Sequence, residues 1–203
     1  REAFAMLIPW SEVRTAEITF TPAQTLVPEI PNYPEVETIT EQQVEEALAL
    51  LEEAGHPNGE GIPPVTISIP ETEDNRRIAA LLEEAWESNL EVDVNVDAVS
   101  YDVYFDYVKT ADYDLATLSW IGDYADPLTF LQMWTSDSNL NNAGFSNTRF
   151  DELVDQATVE TGQRRNATLA EAEEMLLTSG LVLPVSHSPA INLIDLGDIG
   201  GWH

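Results

Sequence analysis

The sequence lacks cysteine altogether and has a single lysine, Lys109. Without thiols there can be no disulfide, no zinc–thiolate site and no cysteine nucleophile. Eight basic residues stand against 37 acidic ones, for a net charge of -29. With so little to neutralise phosphate, nucleic-acid binding is excluded. The acidity is expected to lie on a solvated surface. Histidine is scarce as well: His56, His187 and His203 stand far apart, so no imidazole-rich metal site is expected. No apolar run approaches the length of a membrane span. Walker A, GxGxxG, GxSxG and HExxH patterns are all missing. No cofactor or metal is therefore expected, and the chain is not expected to be an enzyme. Arg1-Glu2-Ala3-Phe4 leads into a short amphipathic pattern rather than a signal peptide. The opening reads as mid-helix and Trp202-His203 as an abrupt close, so a piece of a longer chain is expected.

What is present reads as one α/β unit. After a short helical start stopped at Pro9, residues 21–38 hold Pro22, Pro28, Pro31 and Pro34 and read as an extended connection. Thr40 and Gln43 form a capping box before a helix ending at Gly55. Val65–Ile69 alternates as a strand. Asp74 is the expected cap of a helix carrying Ile78, Leu81, Leu82, Ala85 and Trp86. Glu91–Ala98 alternates acidic and apolar residues as a second strand; Asp93, Asn95 and Asp97 imitate the start of a calcium loop, but its glycine and final glutamate are missing. Ser100 caps a helix expected to turn Val103, Tyr104, Tyr107 and Val108 inward. Leu115–Leu118 follows as a third strand. This alternation predicts a central mixed, mostly parallel sheet flanked by helices. Asn147 caps one late helix, Gln163–Thr178 forms another, Leu181–Val185 reads as an edge strand, and Ile191–Ile194 as a possible last one.

The most informative stretch joins the third strand to the helix behind Asp126-Pro127. Asp is a favoured N-cap and Pro suits the first helical position. Between them lies Trp120-Ile121-Gly122-Asp123-Tyr124-Ala125-Asp126, at the carboxyl end of a strand, where α/β sheets tend to hold ligands. Asp123 and Asp126 could form an acid–base pair, but Asp126 is better explained as a cap. Asp123 then reads either as a turn residue bonding its own backbone or as a carboxylate for a cation or amine, with Trp120 and Tyr124 beside it and Gly122 giving the turn. His187, between Ser186 and Ser188, is expected to be structural.

Several segments, in order, resemble the oligopeptide/dipeptide-binding family of extracellular solute-binding proteins, the ligand-capturing components of ABC importers. They are Arg1–Val13, Glu45–Gly55 (an ALxLLxEAG helix), Asn89–Val94, Tyr101–Tyr107, Ala111–Leu115, Trp120–Pro127, Phe145–Leu153 (FxNxxFDxL), and Glu171–Leu176 with Leu183-Pro184-Val185. The resemblance implies a type II periplasmic-binding-protein-like lobe over residues 1–203, the second of two lobes that close around a ligand, with the first lobe absent. It implies a periplasmic or envelope-associated receptor, a membrane permease as partner, and peptide as ligand. Relatives in the family also bind oligosaccharides, which is the alternative. Asp123 matches the aspartate that pairs with a peptide's α-amino group; Trp120, Gly122 and Tyr124 would complete the site. Thr117 stands where some members carry an arginine for the peptide carboxylate, and Glu91 where a glycine is usual. An isolated lobe is expected to be able to pair through its uncovered cleft face.

Overall fold

The computed structural model describes residues 1–17 and 20–189; the possible strand Ile191–Ile194, Trp202 and His203 lie outside the described residues. Its centre is a parallel sheet of order β3-β2-β4, formed by β2 (Val65–Pro70), β3 (Val94–Val99) and β4 (Leu115–Ala116). Val65 pairs with Val94 and Ile67 with Leu115. Parallel neighbours need crossovers. Here they are α4 (Glu73–Asn89) and α5 (Tyr101–Tyr107). The sheet and α4 share a core with α1 (Glu2–Met6), α2 (Trp10–Thr15) and α3 (Val44–Glu53), including Leu7, Trp10, Leu51, Ile67, Ile69 and Trp86.

A second core is helical. It joins α6 (Leu128–Leu131), α7 (Thr148–Val159) and α8 (Gly162–Thr178) through Leu131, Phe150, Leu153, Leu169 and Leu176. Asn147 caps α7 as expected, its side chain accepting from the N–H groups of Arg149 and Phe150. Gly180 ends α8 with φ +64°, and a Cβ there would come within 3.1 Å of the Arg1 and Glu2 backbone, so glycine lets the end of α8 close onto α1.

A buried arginine ties distant segments together beside the sheet core. Arg14 is 5% exposed. Its guanidinium lies 4.2 Å from the Trp10 ring centre and donates to the carbonyls of Ile39, Thr40 and Pro184. Burial lowers its pKa to about 10, which leaves it charged at neutral pH. A two-stranded antiparallel ribbon, β1 (Thr21–Pro22) with β5 (Ser186–His187), closes the same region. His187 has a structural contact there, Nε2 to the Thr25 carbonyl at 2.9 Å.

Five local expectations are corrected. The Thr40 capping box does not form: α3 begins at Val44, because Gln43 N–H and the Gln42 side chain instead satisfy the Met6 and Leu7 carbonyls at the end of α1. Thr72, not Asp74, caps α4, its hydroxyl accepting from Asn75 N–H. Of the four residues expected to turn inward around α5, only Tyr104 and Val108, four apart, are buried; Val103 and Tyr107 are exposed. The third strand is shorter than Leu115–Leu118: pairing with β2 ends at Ala116, and Leu118 is exposed. Leu181–Val185 is not a strand. Leu181 and Val182 pack on the helical core while Leu183 and Val185 pack on the sheet core, so the segment bridges the two.

Candidate ligand-binding loop

The loop after β4 is held where it meets α6, and its main chain is fixed again at Asp123. Toward α6, Asp126 caps the helix, its Oδ1 accepting from Leu128 N–H at 2.9 Å. The same carboxylate receives a bidentate pair of bonds from Arg165 on α8, at 2.7 and 2.8 Å. Arg165 Nε donates in turn to the Ala157 carbonyl of α7. Partial burial works to raise the Asp126 pKa, but the Arg165 hydrogen bonds, the Leu128 N–H and the Arg165 charge outweigh it and hold it below the usual carboxylate value. Asp126 is thus already partnered twice, and an acid–base pair with Asp123 has no support. Arg165 gave no signal in the sequence, because its partner lies 39 residues away.

Asp123 is different. Its backbone N–H donates to Thr129 Oγ1 at 3.0 Å, which fixes the main chain. Among the described residues its carboxylate has neither a hydrogen bond nor a cationic partner, and the residue is exposed. The turn role, in which Asp123 would bond its own backbone, is not formed. Gly122 relieves a close approach: a Cβ would lie 2.9 Å from Thr129 Cγ2 and 3.1 Å from Phe130 Cζ, and would push on the side chain that holds Asp123 N–H. Tyr124 is 45% exposed and Ile121 88% exposed. Trp120 is partly buried, and its indole N–H is enclosed with no acceptor among the described residues. An enclosed donor of this kind costs about 1–3 kcal/mol.

Beside the loop is a cavity of about 570 Å³. Gly122, Tyr124, Asp126 and Phe130 form one wall, and the Pro28–Pro31 stretch forms the other. The structure therefore brings Gly122 and Tyr124 to the cavity, whereas Asp123 and Trp120 do not line it. The proline-rich connection read as a mere link in the sequence, yet it supplies half of this site. Buried Glu173 on α8 explains why. One of its oxygens accepts from the N–H groups of Leu26 and Val27 and the other from Tyr33 OH, at 2.8–2.9 Å. Burial raises the Glu173 pKa, with the three hydrogen bonds offsetting part of the rise. Asn166, also on α8, donates to the Asn32 carbonyl at 3.1 Å. Both cavity walls thus rest on α8, one through Arg165 and the other through Asn166 and Glu173.

Comparison with known proteins agrees with this architecture. The family model for the middle region of bacterial extracellular solute-binding proteins, family 5, matches residues 1–142. The oligopeptide-binding protein OppA of Bacillus subtilis (strain 168) is 31% identical over 137 residues, which are 66% of this chain and 25% of that protein. The periplasmic murein peptide-binding protein MppA of Escherichia coli (strain K12) is 32% identical over 141 residues, 69% of this chain and 26% of that protein. The solved structure of the Escherichia coli murein tripeptide binding protein MppA superposes with a TM-score of 0.81 at 27% identity, covering 92% of this chain and 38% of that one. The chain thus spans well under half the length of these relatives. The type II periplasmic-binding-protein lobe expected from the sequence is the fold observed.

Proposed function

Since the chain belongs to the bacterial extracellular solute-binding proteins, family 5, we propose that it is the peptide-capturing lobe of an ABC importer's receptor, with Asp123 taking the ligand's free α-amino group. The single observation that carries this reading is the contrast inside one loop. Asp126 is fully engaged, while Asp123, three residues earlier, has a fixed backbone and an exposed carboxylate with no partner among the described residues. With the main chain pinned, only the Asp123 side chain has to be ordered on binding, and a charge-assisted bond to an ammonium group offsets that cost. Every peptide with a free N-terminus offers that group, so recognition would not depend on side chains. The peptide-binding names of the relatives support the same reading.

In this proposal residues 1–203 act as one lobe of a two-lobe receptor, and closure of the other lobe over the ligand shifts the population toward a closed form that a membrane permease recognises. That places its work outside the cytoplasm, as the periplasmic relatives do theirs. Among the described residues, no helix is long and apolar enough to cross a membrane. The exposed apolar residues Leu118 and Ile121 near the loop give the chain alone a surface for pairing with itself, which sedimentation would reveal.

The test is an NMR titration read at the Trp120 indole, whose enclosed N–H sits in the same loop. Free-amine peptides should shift it, and the same peptides N-acetylated should not. Equal shifts from both pools would overturn the amine role of Asp123, and shifts from oligosaccharides alone would favour the sugar alternative.

A further inference from the structure

The cavity next to Asp123 has its own chemistry. Tyr124, Phe130, Pro28 and Ile30 give it apolar walls. It has two carboxylates on its lining, Asp126 and Glu29. The charge of Asp126 is answered by Arg165. Glu29 is exposed and has no ion-pair or hydrogen-bond partner among the described residues. The site therefore presents one uncompensated negative charge beside two aromatic rings. The walls are not loose, since Glu173 holds the chain on both sides of Pro28–Pro31, at Leu26, Val27 and Tyr33.

Position adds to chemistry. Gly122 and Tyr124, the two neighbours of Asp123 in the chain, both line the cavity. A peptide whose α-amino group is held at Asp123 has its first side chain branching one carbon further on. We propose that this cavity is the pocket for that first side chain and that Glu29 makes it favour a cationic one, lysine or arginine. The inference rests on the amine-capture reading of Asp123. Lysine and arginine suit the lining on two counts: their methylene stems pack on apolar walls while the charge reaches a carboxylate, and a cation over an aromatic face gains further attraction. The volume of about 570 Å³ is ample for either. A neutral residue of the same length fills the space equally well, so charge, not size, is what the pocket reads.

The experiment compares three tripeptides with free N-termini, Lys-Ala-Ala, norleucine-Ala-Ala and Glu-Ala-Ala, on the chain and on its Glu29→Gln and Asp123→Asn variants at low salt. Glu29 is exposed and Glu29→Gln keeps its shape, so that variant should fold as the parent does. The lysine peptide is expected to bind about fivefold tighter than the norleucine peptide, the range of a partly exposed ion pair, and the glutamate peptide weakest. Glu29→Gln should bring the lysine and norleucine affinities together, and Asp123→Asn should weaken all three. Equal binding of lysine and norleucine peptides with Asp123 dependence intact would overturn the pocket and leave amine capture standing. A lysine preference that survives Glu29→Gln would overturn the role of Glu29. If none of the three binds, or none depends on Asp123, both readings fail together.

Discussion

The sheet half and the helical half of this molecule are built by different means. In the sheet half, β2 buries five of its six residues, Val65, Ile67, Ile69 and Pro70 with Ser68, so apolar burial supplies most of the packing, with Arg14 and Tyr104 adding hydrogen bonds around it. In the helical half, α7 and α8 bury an equally apolar seam, but the surrounding chain is fastened by polar links. Glu173 holds residues 26–33, Arg165 holds Asp126, and Asn166 holds Asn32. The difference matters because the candidate site lies on the second kind of construction. Burial gives stability without direction. Hydrogen bonds of fixed geometry set where a loop and a carboxylate sit.

The largest effect expected is in the sheet. Ile67 is 1% exposed at the middle of β2, and Ile67→Ala should cost about 4 kcal/mol by lost burial and the cavity left behind. Urea unfolding would measure it, and a cost under about 1 kcal/mol would mean that the sheet core repacks freely. Next comes Glu173→Ala, which strands two N–H groups and the Tyr33 hydroxyl. A loss of about 3 kcal/mol is expected. Amide exchange should quicken at Leu26 and Val27 while β2 stays protected. Uniform quickening across both halves would erase the distinction between them. Arg165→Ala should cost about 2 kcal/mol, because a partly buried bidentate contact and the Ala157 bond both go. It should also move the Asp123 amide signal. An unmoved signal would show that the loop keeps its shape without α8.

The smallest effect is in pH dependence, and the carboxylates at the two α8 contacts, Glu173 and Asp126, have opposite signs. Glu173 has its folded pKa raised from 4.5 by burial. Above 4.5 and up to its raised value the native state holds a proton the unfolded state lacks, so its contribution grows as pH falls through that window and is lost as pH rises. Asp126 is held below 3.8, so its contribution is present above 3.8 and is lost as pH falls through the lowered value. Denaturation midpoints taken from neutral pH down to 4.5 should lose their acid-side gain in Glu173→Gln. An unchanged profile would contradict the raised value.

Much of the sheet half is legible in the sequence, since Val65–Ile69, Ile78–Trp86 and Glu91–Ala98 carry their periods openly, although the second strand begins at Val94 rather than Glu91. Errors gather where a polar residue has a choice of partner. Thr40 and Gln43 make a plausible capping box, yet nearby carbonyls at the end of α1 claim that segment. The loop itself was readable through Asp126-Pro127 and the aromatics flanking Asp123. Its second wall was not, because nothing local in Pro28–Pro31 signals a fixed position. That position is imposed by Glu173, about 140 residues further along. Nor could periodicity reveal Arg165, whose partner is 39 residues earlier.

The most direct test of amine capture is a double-mutant cycle between the ligand's amino group and Asp123. The affinities of a free tripeptide and of its N-acetyl form would be measured on the parent chain and on Asp123→Asn. If Asp123 holds the amine, acetylation costs about tenfold or more on the parent, roughly 1.4 kcal/mol, and almost nothing on the variant. An equal cost on both proteins would show that the amino group is recognised elsewhere, and Asp123 would lose its assigned role.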